Sequence, residues 1–385
     1  MRTPTSLKDL LQNNNAWWNY YSNYKDYIRE EVTDNIVKIL SCGNFIKGYR
    51  TLCCSNPECG HIKHITQACN SRFCPTCGKR ATDQWVEKQK AVLPITEYQH
   101  ITFTIPKQLW GFFRQHRELF NQLVKSAIDV VLKLAKRRKI TVGIFLAIHS
   151  FGRDLQWHPH IHLSVTMGGL DKNDLWKAIR FSKKALMRIW KYNVISALRD
   201  ATKAGLIHAS NHLLNQQYNR IWILHCAKPT SNAYHTVSYI GRYLKRPPLS
   251  LSRLKHYDGK EVSFNYFNHR MKRYEKKTYS TAEFITRFTQ HIPPKNFRMI
   301  RYAGFLANRV RNQKLPIIYE QLDQEPKTPI TVRWAVALKK AFGLDHMECL
   351  LCKSPMVFGG AVPGMPHRDI LKHHKALALR QIINL

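Results

Sequence analysis

The stretch Trp157-His158-Pro159-His160-Ile161-His162-Leu163-Ser164-Val165 leaves the backbone little choice. Imidazoles alternate with Pro159 and Ile161, and a β-branched apolar run follows. That period of two suits a strand, where every second side chain shares a face; a helix would scatter it. His160 and His162 therefore point together, with His158 beside them if Pro159 stands at the strand's start. Two imidazoles held a few ångströms apart on a rigid strand make a two-point metal site. With 19 His in 385 residues, chance clustering is the plain alternative, so the reading needs a second feature.

Charge supplies a partner class. The chain carries 61 Lys+Arg against 25 Asp+Glu, a net +36 spread along its length. Such a field favours polyanions through phosphate contacts and counterion release, so nucleic acid is the expected partner. The hydrophobic fraction of 44% excludes a disordered basic tail as the whole explanation. No apolar run approaches the ~20 residues that span a bilayer, and Met1-Arg2-Thr3-Pro4 opens without the apolar core of a signal peptide. The expectation is a cytoplasmic protein without membrane contact, in which ten Cys signify metal ligation more than disulfides.

Two cysteine knuckles, Cys54-x4-Cys59 and Cys74-x2-Cys77, read together as a tetrahedral structural Zn²⁺ site. Four thiolates leave no open position for catalysis. Gly60 and Gly78 follow the second thiolate of each knuckle and suit a positive φ. Cys53, His61, His64 and Cys69 are spare ligands. Arg72, Lys79 and Arg80 beside the knuckles point to a DNA-facing role. A third pair, Cys349-x2-Cys352, is half a site; His346, His367, His373 or His374 could complete it, or the thiols remain unpaired.

The elements read as an α+β protein with an antiparallel sheet and flanking helices, preceded by a small zinc-binding domain. Residues 1–50 form a helical segment whose Trp17, Trp18, Tyr20, Tyr21, Tyr24 and Tyr27 pack rather than stack on bases. Residues 51–92 are the zinc-binding domain. Residues 93–320 hold the sheet: strands at 100–106, 141–151, 159–167, 220–226 and 299–305, helices at 108–138 and 172–216, a helix from about Ala233 to Leu244 that stops at Pro247-Pro248, and a basic β-meander over 251–280. Residues 321–385 form a separate helical unit with the CxxC pair.

The second feature lies on the Ala233–Leu244 helix. Tyr239 and Tyr243 are four apart, so their hydroxyls emerge on one face. Arg242, Lys245 and Arg246 stand on the same turns, which an apolar packing face would not gather, and read as DNA-binding. A phenol beside a metal-bound phosphate can attack phosphorus, leaving a 5′-phosphotyrosine and a free 3′-hydroxyl, while a divalent ion on the histidines stabilises the developing charge.

His160-Ile161-His162 and Tyr239-x3-Tyr243 resemble the paired motifs of two-tyrosine HUH nucleases. Arg72-Phe73-Cys74-Pro75-Thr76-Cys77-Gly78 is similar to the zinc region that precedes that domain in rolling-circle transposases of bacterial insertion sequences, those of the insertion-sequence-common-region type and, more distantly, Helitron enzymes. The resemblance spans about residues 25–315. It implies an HUH sheet with the histidines on a central strand, single-stranded DNA at element ends as substrate with target DNA as acceptor, Mg²⁺ or Mn²⁺ on His160 and His162, and Tyr239 and Tyr243 as nucleophiles. A third ligand is implied as well: His158, His235 and Gln156 are in reach, and His158 is the choice on strand geometry. A plasmid or phage replication initiator or relaxase of the same class, and a non-catalytic zinc-containing DNA-binding regulator, are the competing readings.

Overall fold

The computed structural model describes residues 6–231, 241, 247–268, 271–326, 336, 339, 343 and 345–374. Its strands are β1 (Gly48–Cys54), β2 (Ile62–Thr66), β3 (Tyr98–Thr104), β4 (Thr141–Phe151), β5 (Trp157–Leu170), β6 (Trp176–Ala178), β7 (Leu224–Cys226), β8 (Leu254–Tyr257), β9 (Glu261–Asn268), β10 (Arg273–Ser280), β11 (Ile300–Gly304) and β12 (Met356–Pro363). Among the described residues they form three sheets. The largest runs β11-β4-β5-β3-β7, with β6 added to the far end of β5, and every pairing in it is antiparallel.

The alternation in β5 sorts its side chains as the sequence implies. Ile161, Leu163 and Val165 are fully buried against the helices Leu119–Arg137 and Lys183–Lys203. Burying each of them contributes ~1.5–3 kcal/mol. The first of these helices places Leu123, Val124, Ala127, Val130 and Val131 on its buried stripe. His160, His162, Ser164 and Thr166 face the other way. Their cross-strand neighbours are His149, Ala147 and Phe145 on β4, and Thr104, Thr102 and His100 on β3. Half of that second face is apolar, with Tyr98 and Phe145 covered by Trp85, Leu306 and Tyr319. The other half is polar and lines a cleft.

Two further bodies flank this sheet. The meander β8-β9-β10 turns at Asp258, whose Oδ1 accepts the N–H groups of Lys260 and Glu261. It packs with the helix Thr281–Thr289 on the N-terminal helices Leu7–Gln12, Ala16–Tyr24 and Glu30–Leu40, around Leu10, Trp17, Ile36, Phe264 and Phe284. Trp17 and Trp18 are buried there and Tyr20 bonds Thr286, as packing requires, whereas Tyr24 and Tyr27 are exposed. The third sheet, β12-β1-β2, brings Met356–Pro363 back against Gly48–Cys54.

Several element boundaries differ from the sequence reading, among them the helix expected over 108–138, which is broken into Trp110–Gln115 and Leu119–Arg137. Residues 172–216 open with β6, and the helix begins only at Lys183, capped by Ser182. The strand expected over 220–226 pairs only from Leu224, because Ile221 and Ile223 lie exposed off the sheet edge. Residues 321–385, expected as a separate helical unit, contribute a strand to the sheet of the zinc region instead. No helix among the described residues is long and apolar enough to cross a membrane.

Candidate active site

The polar half of the central sheet gathers His149, His160 and His162, each offering one ring nitrogen within 4.8 Å of the others. The Nε2 atoms of His160 and His162 are 3.0 Å apart. Adjacent ligands of an octahedral ion with bonds of about 2.1 Å stand about 3.0 Å apart, so the pair fits a divalent ion without rearrangement. The opposite ring nitrogens are occupied by the protein. His160 Nδ1 lies 2.7 Å from the His158 carbonyl, which can only accept, so Nδ1 carries the proton and Nε2 the lone pair. His162 Nδ1 lies 3.0 Å from His100 Nε2, a contact that leaves its Nε2 turned to the same point. Burial holds His160 at about 3, His100 at about 4 and His162 well below the ordinary imidazole range. All three rings are neutral at pH 7, the form that ligates.

His158, the third ligand expected from the sequence, stands outside this trio. β5 carries an extra residue between Trp157 and His160, where His149 pairs with His160 but Phe151 pairs with Trp157. Pro159, which has no N–H for the ladder, occupies that bulge. The bulge breaks the strict alternation and sets the His158 ring 5.0 Å from Trp110, although it still lines the cleft. His149 comes instead from β4, directly across from His160. His100 and His149 carry no local sequence signal; only the pairing register brings them in.

Above the histidines opens a cleft of about 910 Å³. Among the described residues its Lys and Arg are Lys79, Arg153 and Arg253, and its aromatic wall includes Tyr266, Phe267 and Tyr274 from the meander. Phe267 and Tyr274 meet edge to face at 5.3 Å, and Tyr274 is 75% exposed. Pro75, Thr76 and Lys79, at the start of the helix Pro75–Val92, form part of the rim. Tyr239, Tyr243, Arg242, Lys245 and Arg246 lie outside the described residues, as does His235. Of their segment, Gly241 is helical and buried against Trp85 and Val86, where a Cβ would overlap Val86. Thr230, before it, bridges Tyr98, and Pro247 and Pro248, after it, line the cleft.

The cysteines form two four-thiol clusters rather than the one read from the sequence. Cys74 and Cys77 join Cys42 and Cys69; Cys54 and Cys59 join Cys349 and Cys352. The division follows from topology. Cys74 and Cys77, at the start of the helix Pro75–Val92, face the end of the helix Glu30–Leu40, while the turn after β1 faces the chain just before β12. Sulfur–sulfur distances are 3.7 Å for Cys42–Cys77, 3.6 Å for Cys69–Cys77 and 3.7 Å for Cys74–Cys42. A tetrahedral zinc with bonds of about 2.3 Å has sulfur edges of about 3.8 Å, so this cluster fits zinc. Cys42, Cys69 and Cys74 converge on Cys77 and hold its thiol well below the ordinary range. Residues in the left-handed region follow the thiolates, namely Gly43, Asn70 and, in the second cluster, Gly60. Gly78, expected among them, sits inside a helix. Cys69 was among the spare ligands, and the dipeptide Cys42-Gly43 was the available signal for the ligand that the spacing argument passed over.

A family model described as "Transposase zinc-binding domain" matches residues 13–105, and one described as "Putative transposase" matches residues 143–314, which include all three histidines and both tyrosines. The "Transposase for insertion sequence element IS801" of Pseudomonas savastanoi pv. phaseolicola is 40% identical over 389 residues, covering 98% of this chain and 94% of that protein. "Putative transposase y4qJ" of Sinorhizobium fredii is 30% identical over 280 residues, covering 67% of this chain and 70% of that protein. No solved structure is significantly similar to the chain. Similarity to the IS801 transposase over nearly the whole of both proteins means that the chain belongs to that family of insertion-sequence transposases.

Proposed function

We propose that the chain nicks single-stranded DNA at the ends of its insertion sequence and transfers it to target DNA by rolling-circle transposition, in the cytoplasm and at the nucleoid. Tyr239 and Tyr243 are the nucleophiles. The phenolic oxygen of one attacks the scissile phosphorus, the P–O3′ bond breaks, and the 3′-oxygen takes a proton and leaves as a hydroxyl. The 5′-phosphate stays joined to tyrosine, so the bond energy is kept. Attack of a 3′-hydroxyl on that phosphotyrosine forms the new phosphodiester and returns the phenol. With two phenols, a second strand is cut before the first is released.

A divalent ion bound by His149, His160 and His162 would supply charge stabilisation at the non-bridging phosphate oxygen. Three imidazoles suit Mn²⁺ better than Mg²⁺, which prefers oxygen ligands. Arg153, Arg253 and Lys79 draw the DNA backbone over the histidines, and Arg242, Lys245 and Arg246 add phosphate contacts beside the tyrosines. Phe267 and Tyr274 offer ring faces to unstacked bases, which a duplex would not present. The zinc of the first cluster fixes the helix Pro75–Val92, whose start forms the cleft rim.

The observation that carries this reading is the convergence of three buried imidazoles on the floor of a cationic, aromatic-walled cleft, in a chain of a transposase family. Incubating the protein with labelled single-stranded element-end DNA and Mn²⁺, then running a denaturing gel, should give a covalent adduct. The adduct should survive in one of Tyr239→Phe and Tyr243→Phe and vanish in the double variant. No adduct under any divalent metal would leave a DNA-binding regulator, and preference for a replication origin over an element end would favour an initiator.

A further inference from the structure

The second thiol cluster lies partly beyond both family spans, since Cys349 and Cys352 follow residue 314. We propose that Cys54, Cys59, Cys349 and Cys352 hold a second structural zinc ion, which clasps the C-terminal segment to the N-terminal zinc sheet across the intervening catalytic region.

The geometry is that of two facing knuckles. In the first, Cys54 N–H donates to His61 O at 2.9 Å, Cys59 N–H donates to Asn56 O at 3.1 Å, and Gly60 follows at φ 61. In the second, Cys349 N–H donates to Ser354 O at 2.9 Å, Lys353 N–H donates to Cys349 O at 3.1 Å, and Lys353 takes φ 64. Across the gap, Cys54 Sγ stands 3.3 Å from Cys352 Sγ and Cys59 Sγ 3.7 Å from Cys349 Sγ, near the sulfur edges of a tetrahedral zinc. His61 Nδ1 lies 3.1 Å from Cys349 Sγ and orients that thiolate.

Among the described residues the apolar core at this corner is small. Its buried apolar residues are Leu52, Cys349 and Met356. The strand pairing continues only from Cys54↔Met356 to Gly48↔Pro363, with Ser55 N–H donating to Pro355 O at 2.9 Å. The paired cysteines are 290 and 298 positions apart in the chain, so a bond among them ties together segments remote in sequence. Metal ligation is such a bond, available to four thiols that already point at one another. Unlike the first cluster, with three buried cysteines, this one has Cys352 exposed. Its ion should be the first that a chelator reaches.

The test is the zinc content of the full-length protein. We expect two zinc ions per chain by elemental mass spectrometry, one in the Cys349→Ser/Cys352→Ser variant, and two again in Cys352→His, which keeps a ligand at that position. A colorimetric chelator should withdraw zinc from the wild type in two phases, the faster of which is missing from the double variant. Should the serine variant not fold, the cadmium-substituted wild type decides, with two ¹¹³Cd resonances in the all-thiolate range expected. One zinc per wild-type chain, two in the serine variant, a single ¹¹³Cd resonance, or disulfides in place of the second ion would each overturn the proposal. None of these readouts depends on the tyrosines, so the outcome is independent of the nicking reaction.

Discussion

Replacing His149 by Ala separates the ligand set found in the fold from the one legible in the sequence. His149 is buried, faces His160 across the β4–β5 ladder, and supplies the third nitrogen of the trio. Outer-shell partners of a metal-bound imidazole are commonly worth 10–100-fold in affinity. Loss of a direct ligand should therefore weaken Mn²⁺ by at least ~100-fold, about 2.8 kcal/mol. His158→Ala should cost less than about tenfold, because its ring, 4.7 Å from that of His160 and 5.0 Å from Trp110, is outside the trio, and the backbone carbonyl that holds His160 is kept. Free Mn²⁺ followed by electron paramagnetic resonance during a titration at pH 7 reads both affinities with no contribution from DNA or tyrosine. Protons do not compete there at His160 or His162, since burial holds the first at about 3 and the second well below the ordinary imidazole range. His149→Gln, which keeps most of the volume packed on Phe151, controls for a cavity. A larger loss for His158→Ala than for His149→Ala would refute the assignment and the role given to the Pro159 bulge.

Two other predictions concern the cleft wall and acid stability. Phe267→Ala/Tyr274→Ala should weaken binding of an oligothymidylate by ~1–3 kcal/mol per base lost from the wall, with the salt dependence unchanged because no cation is removed; fluorescence anisotropy at two salt concentrations measures both, and a changed salt slope with unchanged affinity would contradict the stacking role. His291, stacked on Trp157 with its ring nitrogens bonded to Ser150 Oγ and Leu155 O, is pushed down to about 3 by burial. Between pH 6.5 and that value the unfolded chain holds a proton the folded one lacks, so stability is full above 6.5 and falls with acid by up to about 1.4 kcal/mol per pH unit. Urea unfolding of wild type and His291→Gln from pH 7 to 5 should show the steeper decline in the wild type; parallel declines would show that His291 does not set it.

The meander, the central strand and the helices at 110–137 were legible because each rests on a short-range pattern. The turn at Asp258-Gly259 and the apolar spacing of Leu123 to Val131 belong in this group. The N-terminal aromatics were read correctly for Trp17 and Trp18, whose indoles are buried, and not for Tyr27, which is 88% exposed. Aromatic content alone does not say which ring the neighbouring body will cover. At the thiol sites, spacing identified pairs and misassigned their partners, since a knuckle fixes where two sulfurs point and carries no information about which other knuckle will face them.

What the chain determines by itself is local. Period-two alternation puts His160 and His162 on one face, thiols with two to four residues between them share a turn, and the net +36 selects a polyanion, all consequences of covalent geometry and charge. What only the tertiary structure decided is which distant residues complete each site: His149 and His100 beside the histidine pair, Cys42 and Cys69 with Cys74 and Cys77, and Cys349 and Cys352 with Cys54 and Cys59. Those meetings depend on strand register, where one extra residue at Pro159 turns a side chain out of the set, and register is settled by the burial of whole faces rather than by any neighbouring residue.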